Sequence, residues 1–537
     1  MSRDDEIADA FNKEFSLNFG SVLATCCPPG DPEGLLLNCT LVDVQKYLSN
    51  VPDSAAGFDG ISGQVLKNIK ASVAYPLWII FQQSLAQARF PALWKEAIVQ
   101  PIYKNKSDKT SPSSYRPVSM CSILGKTLER IVKDQLLEHI TKISPLNRRQ
   151  HGFCVGRSTV TNLLDFDKLI GAWENQNLPY DIVTIDFCRA FDKVPHALIL
   201  DTLASKKLHQ KTLGWFNSFF TMRRQRVRIN GHLSEPADVT SGVVQGSTVG
   251  PLIFAIYIDP LLESINCHCV AFADDAKFAN TPDTPSQPSI QLDLDRIDAW
   301  SARSFLPLAV EKCFVVHGGR HNPNCQYHCN GYQLSVVTQF QDLGVVRSFD
   351  AGYCFHPGSI VTKGNRAVGA IFRGLRTREA PVLWNAFQSY VIPLLEYASQ
   401  CWNPKLKKNI KSIENIQKRF TKRLAGMSQF SYNERLVALS ATTLETRRNV
   451  ADLTFVFKCL HGLVDVKPEE IGLELQQGIT RGAGVHLHQP KAVNCRAGSM
   501  FMFRIPALWN SLPLSILQSS SVSGFKNRLI AHFNHRH

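Results

Sequence analysis

Two adjacent carboxylates, Asp274 and Asp275, stand inside the apolar run "VAFADDAKFA" at residues 270–279. Burying one unpaired carboxylate is expensive, and a second beside it raises the cost because each disfavours the other's ionisation. A chain that carries both must fold so that something neutralises them. The flanks, residues 267–279, predict two short strands around a tight turn at "ADDA". A third acid ends another apolar strand: "YDIVTIDF", residues 180–187, runs into Asp186, and Asp192 follows six residues later. One acid at a strand end is most simply a helix cap. Three carboxylates in apolar settings must instead be protonated, paired or met by a cation, and a hard divalent ion with oxygen ligands is the natural neutraliser.

Between the two acid sites lies "TSGVVQGSTVGPLIFAIYIDPL", in which Gly242, Gly246 and Gly250 punctuate a loop that enters an apolar helix with Pro251 at an early, permissible position. Such a loop lets a flat ligand approach the backbone. Alone it is weak, but here it joins the two acid-bearing strands.

With 537 residues, 44% of them hydrophobic, the chain can bury a large core in two to four domains or subdomains. Its formal charge of +14 and pI near 9.1 point to a polyanionic partner, nucleic acid first and an anionic membrane surface second. No run approaches the roughly 18 to 20 apolar residues of a membrane span, and the charged start "MSRDDEIADAFNKEF" lacks a secretory h-region. An intracellular protein is expected. Its 15 cysteines are odd in number and scattered, which reads as reduced thiols and core residues. His317, His321, Cys325 and Cys329 recur every four residues and imitate zinc-ligand spacing, yet Gly318, Gly319, Asn322, Pro323, Asn324 and Gly331 mark turns there, not one helix face.

Along the chain, "DEIADAFNKEF" predicts a short amphipathic helix followed by the loop "TCCPPGDPEG". Residues 51–166 read as helices with basic loops, including the helix "ILGKTLERIVKDQLLEHI". The middle third reads as α+β. Beyond about 345 strand signals thin, "VLWNAFQSYVIPLLEYASQCW" and "KLKKNIKSIENIQKRFTKRLAG" read as helices, and the second carries a dense Lys/Arg face. Solvation alone accounts for many such faces.

"DFCRAFDKVPH", "SGVVQGSTVGPLIFAIYIDPL" and "FADD", in that order, resemble the blocks of reverse transcriptases from non-LTR (LINE-type) retrotransposons, specifically the jockey/CR1-like group. "PIYKNKSDKTSPSSYRPVSMCSILGKTLERIV" and "QHGFCVGRSTVTNLL" extend the likeness upstream, and "LAVEKCFVVHGG", "FQDLGV", "VIPLLEYASQCWNP" and "FRIPALWNSLP" extend it downstream, over about residues 1–530. The histidine and cysteine run falls in that family's variable hairpin, which removes the zinc reading.

The resemblance implies an α+β right-hand polymerase fold with mostly helical fingers and thumb. Its expected divisions are an N-terminal extension at 1–50, fingers at 51–178, palm at 179–345 (polymerase domain overall about 85–346), thumb at 346–430 and a C-terminal region of unknown role at 431–537. It implies RNA-directed DNA synthesis with two Mg²⁺ ions, or Mn²⁺ in their place. Asp186, Asp274 and Asp275 match the palm carboxylates, with the Phe187 carbonyl as an extra metal ligand and Asp275 as the supporting acid. Phe191 matches the ring that excludes a 2′-hydroxyl; its plain alternative is a core aromatic. Lys104 and Arg116 would hold the triphosphate, Gln245 and Gly246 would pack on the incoming nucleotide and template base, and Lys312 would protonate the leaving pyrophosphate unless it is a solvated surface lysine. Lys405, Lys407, Lys408, Lys411, Lys418, Arg419, Lys422 and Arg423 would grip the nucleic-acid backbone.

Thr248, Val249, Ala276 and Gln341 depart mildly from the family pattern, and none is an expected metal ligand. No endonuclease is visible in residues 1–50 and no RNase H acid set at the C-terminal end. The expected partners are therefore an RNA template, a DNA primer, deoxynucleotides and an endonuclease supplied in trans, with no membrane, in the nucleus and/or cytoplasm. Two rivals stand beside the enzyme: a catalytically silent, nucleic-acid-binding remnant of a retroelement, and a membrane-surface or scaffolding protein. The intact acids favour the enzyme over the first, and the coherent set of motifs favours it over the second.

Overall fold

The computed structural model describes residues 4–20, 27–104, 108–282, 289–348, 352–476 and 485–534, in a mixed α and β architecture. At its centre is a five-stranded sheet ordered Ser335–Val336, Phe314–Gly318, Tyr180–Ile185, Asp275–Asn280 and His268–Phe272. Tyr180–Ile185 is central because both its faces are apolar. Val183 and Ile185 share one core with Phe254 and Ile256 of the helix Gly250–Ser264, while Tyr180 and Ile182 pack with Phe166 and Ile170 of the helix Thr159–Gln176.

Register places the acids. Ile185 lies opposite Ala276 in antiparallel pairing, so one further residue sets Asp186 opposite Asp275 at the hairpin end. Phe272 pairs with Asp275, which leaves Ala273 and Asp274 as a two-residue turn. Ala273 takes φ +60°, the left-handed region that primed hairpin turns require and that a Cβ makes costly.

A second sheet lies in the stretch read from sequence as helices and basic loops. Tyr115–Met120 and Glu96–Tyr103 pair antiparallel, and Glu96–Tyr103 runs parallel to Arg223–Ile229. Pro101 and Pro117 face each other in this register. Proline inside an apolar run argues against a strand because it has no N–H for the ladder; placing both prolines at one pair confines the loss to one position. Residues 4–20 pack on this sheet: Phe15 buries against Val99 and Val227, and Phe11 meets Tyr115 edge-on.

The C-terminal half is helical around one core that includes Phe387, Phe420, Leu453, Phe457, Trp509 and Phe525. The stretch 382–402, read as one helix, forms three pieces, Ala380–Tyr390, Ile392–Glu396 and Ser399–Trp402. Pro393 starts the second piece and Ala398, at φ +50°, precedes the third. Lys407–Lys422 is one helix whose buried face is Ile413, Ile416, Gln417, Phe420 and Thr421. Among the described residues no helix is long and apolar enough to cross a membrane.

Candidate functional site

One cavity of about 950 Å³ collects Asp186, Phe187, Asp274, Asp275, Lys104, Arg116, Phe191, Gln245, Gly246 and Lys312. These residues come from six separate stretches of chain. The eight basic residues of 405–423 do not line it.

The acids are unequal. Burial, and then the charge of Asp186, raises the Asp274 carboxyl above its ordinary value. Asp275 reaches solvent at its edge, yet desolvation followed by the charges of Asp274, Asp186 and Asp342 pushes it up to about 6. Asp342 is held on the far side by the buried Lys277, whose Nζ lies 2.6 Å from Oδ1. Lys312 Nζ sits 2.9 Å from Asp186 Oδ2, and this bond raises the lysine's pKa. An ammonium thus does here the neutralising that the crowded carboxylates need.

Among the described residues no three His, Cys, Asp or Glu side chains converge closely enough to cage an ion by themselves. The donor set is of another kind: Asp186 and Asp274, plus a Phe187 carbonyl that accepts no hydrogen bond from the described residues. Two carboxylates and one carbonyl suit Mg²⁺, which keeps waters and takes its remaining ligands from substrate phosphates. His317, of the zinc-like run, is engaged elsewhere: its Nδ1 is 2.6 Å from Asp181 Oδ1, and Tyr327 Oη donates to the same buried carboxylate at 2.6 Å.

The opposite wall is cationic. Crowding by the protein, then by Arg189, Arg116 and Lys312, holds the Lys104 ammonium below its ordinary value. Arg189 was not anticipated from sequence. It lines the cavity at φ +50° between Asp186 and Phe191, and faces Glu14 of the N-terminal helix at 3.8 Å. That helix also brings Phe15 to the cavity, so residues expected to be an extension wall the site.

Phe191 stacks on Phe254 with ring centres 4.4 Å apart and meets Phe153 edge-on at 5.9 Å. A ring braced on two sides is a fixed wall. Gly246 (φ +76°) approaches so closely that a Cβ would stand 2.3 Å from the Ser119 carbonyl oxygen, and at Gly242 (φ +87°) a Cβ would meet the Phe191 oxygen at 2.5 Å. Any side chain at either position would push the loop out of the wall. The buried Glu129 carboxylate fixes the loop further by accepting the Thr248 N–H at 2.6 Å and the Val249 N–H at 3.3 Å. Burial raises this carboxyl, and the charge of Arg223 and the two N–H donors oppose that rise. Asp192, pushed up to about 6 by burial, accepts from Gln245 Nε2 at 2.5 Å and so sets that amide's orientation.

Gln150, also missed, clamps the acid hairpin. Its Oε1 accepts the Ala273 N–H at 2.9 Å while its Nε2 donates to the Ala273 carbonyl at 3.2 Å, and Arg149 and His151 pair with Ala271 on either side. One amide thus satisfies both polar groups of the strained turn residue. Its signal in sequence is only "QHGF", whose partner lies 123 residues away.

Away from the cavity, Lys407, Lys408, Lys411, Lys418, Arg419 and Lys422 are exposed on the helix Lys407–Lys422 away from its buried residues, and Lys405 and Arg423 are exposed just beyond its two ends. Arg423 is covered in part by the Phe372 ring, 3.6 Å away.

Residues 103–346 match the family described as reverse transcriptase (RNA-dependent DNA polymerase). The chain is 30% identical over 330 residues to the putative 115 kDa protein in type-1 retrotransposable element R1DM of Drosophila melanogaster, which covers 60% of this chain and 31% of that protein. It is 27% identical over 401 residues to the probable RNA-directed DNA polymerase from transposon BS, covering 70% and 43%, and 24% identical over 419 residues to the RNA-directed DNA polymerase from mobile element jockey, covering 72% and 44%, both of the same fly. The matched region is less than half the length of each relative.

Proposed function

We infer, from a chain whose residues 103–346 are a reverse transcriptase domain related to those of non-LTR retrotransposons, that it is an RNA-directed DNA polymerase adding deoxynucleotides to a primer 3′ end. The observation that carries this is one cavity with an acid edge at Asp186 and Asp274 and a cationic wall at Lys104, Arg116 and Arg189. Phosphoryl transfer asks little covalent chemistry of the protein; it asks for positioning and charge neutralisation. Acids on one side and cations on the other supply that for a triphosphate lying between them.

Asp186, Asp274 and the Phe187 carbonyl are the groups that would hold two Mg²⁺ ions, which supply activation of the primer hydroxyl and charge relief at the leaving pyrophosphate. Asp275 supports them from the side. Lys104 and Arg116 bind the phosphates as fixed positive charge. Phe191, braced on Phe254, meets the sugar where a 2′-hydroxyl would clash. Gln245 and Gly246 lie against the base pair being formed. Lys312, whose ammonium lies 2.9 Å from Asp186 at the acid edge, would be the group that donates a proton to the leaving pyrophosphate.

In this reading residues 51–178 are fingers, 179–345 the palm and 346–430 a helical thumb whose exposed lysines and arginines face the template–primer backbone. The partners are an RNA template, a DNA primer and deoxynucleotides, with an endonuclease in trans as a source of primer ends and nuclear access for copying into a genome. The test is primer extension on an RNA template with Mg²⁺. Wild type extends and Asp186→Asn or Asp274→Asn does not; equal activity in all three would assign the signal to a contaminant, and no activity in any would favour the silent remnant.

A further inference from the structure

Behind the acid hairpin lies a small pocket lined by Asp275, Lys277, Thr184, Asn162 and Asp342. Asp275 and Lys277 are two residues apart in the strand Asp275–Asn280, so both side chains leave the same face, about 7 Å apart along the strand. A lysine's four-carbon stem covers that span. An ammonium so placed would ordinarily pair with the carboxylate beside it. It does not.

Lys277 Nζ donates instead to both oxygens of Asp342, at 2.6 and 2.5 Å. Asp342 takes a second cation in Arg347, whose Nε lies 3.5 Å from Oδ2. Arg347 in turn donates to Asp167, whose other oxygen accepts from Tyr353 Oη at 2.7 Å. Lys277, Asp342, Arg347 and Asp167 are all buried and form a closed set of two cations and two carboxylates. Asp275 is left out: among the described residues no cation lies within ion-pair distance of it. Apolar side chains of the same volume often stabilise a core as well as such a set does, so cohesion alone does not account for it.

What the set does achieve is to hold an ammonium away from an acid that also lines the polymerase cavity. We propose that Asp342 is a positioning residue that sequesters Lys277, and so keeps Asp275 unpaired within the negative field that draws divalent cations to Asp186 and Asp274. The inference rests on the metal reading above. Lys312, the ammonium on Asp186, is more than half exposed and can turn to water. Lys277 is buried and cannot. Without Asp342 its charge would have no solvent to face, and Asp275 is the carboxylate left on its own strand face.

The test is Mn²⁺ binding to the full chain without nucleic acid or nucleotide, read as loss of the electron paramagnetic resonance signal of the free ion. Asp342→Asn keeps the side chain's shape and frees Lys277; it should weaken Mn²⁺ binding about tenfold, the size expected when one nearby unit charge is cancelled in a partly solvated site. Adding Lys277→Met to Asp342→Asn should restore the wild-type affinity, because the displaced ammonium is gone. Lys277→Met alone should bind at least as tightly as wild type, and it keeps the result readable if Asp342→Asn folds poorly. Unchanged affinity in Asp342→Asn, a double variant as weak as Asp342→Asn, or weaker binding by Lys277→Met would overturn the assignment. Wild type that binds Mn²⁺ no better than Asp186→Asn or Asp274→Asn would instead remove the metal reading, and this inference with it.

Discussion

At the residue scale the acids of the cavity differ by their surroundings. Asp275 is raised to about 6 against an ordinary 3.8, so the folded state holds its proton more tightly than the unfolded chain does. Stability from this group is therefore present below the ordinary carboxylate range and is lost as pH rises toward 6. Asp275→Asn should raise the melting temperature of the metal-free protein at about pH 8 and change it little near pH 4. It should also retain measurable extension where Asp274→Asn has none; a melting difference independent of pH would show that Asp275 titrates normally. Phe191→Val should admit ribonucleotides by shortening a ring otherwise held against Phe254, and unchanged sugar discrimination would remove the gate role. That these residues meet was legible because each stands in its own short motif, and the fold brings the motifs to one cavity. Glu129, Gln150 and Arg189 were not, because a glutamate in a helix or a glutamine in a loop acquires its role only from a partner that the fold brings up.

At the scale of elements, the acid strand and hairpin were readable from the apolar runs around Asp186 and Asp274, and the observed strands Tyr180–Ile185, His268–Phe272 and Asp275–Asn280 lie within two residues of the predicted spans. The strands Glu96–Tyr103 and Tyr115–Met120 were not, because each contains a proline that local rules count against a strand. Only the pairing of Pro101 with Pro117 resolves the objection. Hairpin geometry likewise depends on a distant residue. Gln150→Ala would leave the buried N–H and carbonyl of Ala273 without these partners, at a cost of about 2 to 3 kcal/mol. As a positioning residue Gln150 should lower kcat and leave the KM for deoxynucleotide nearly constant; a melting shift with kcat unchanged would make it structural alone. The basic helix makes a different prediction. Replacing Lys411 and Lys418 with Gln should flatten the log–log salt dependence of template–primer binding by roughly one for each phosphate no longer neutralised, without changing sequence preference. An unchanged slope would mean the helix face is only solvated.

At the scale of the whole molecule, the region 431–537 carries no catalytic signature, yet it is built into the body that holds the site. Leu453, Phe457, Trp509 and Phe525 share one core with Ile413 and Phe420 of the basic helix. Met500 buries with Phe166 and Ile170 against the back of the central sheet. Arg148 and Arg157, on either side of the Gln150 clamp, pair with Glu470 at 2.7 Å and Asp465 at 2.8 Å. A second tie runs inside: buried Arg347 contacts Asp167 and lies 3.5 Å from Asp342, the acid that faces Asp275. Each large apolar side chain that loses its cover forfeits about 1.5 to 3 kcal/mol, against a total stability of about 5 to 15 kcal/mol for an ordinary domain. Four or more such losses exceed what the remaining chain can spare. Deleting residues 431–537 should therefore abolish cooperative melting as well as primer extension, whereas Glu470→Ala, which breaks the half-exposed pair with Arg148, should cost about 1 kcal/mol or less and keep extension. A truncated chain that melts cooperatively and still extends primers would show that the polymerase body closes without this region, and that the shared core is not what holds the acid hairpin in place.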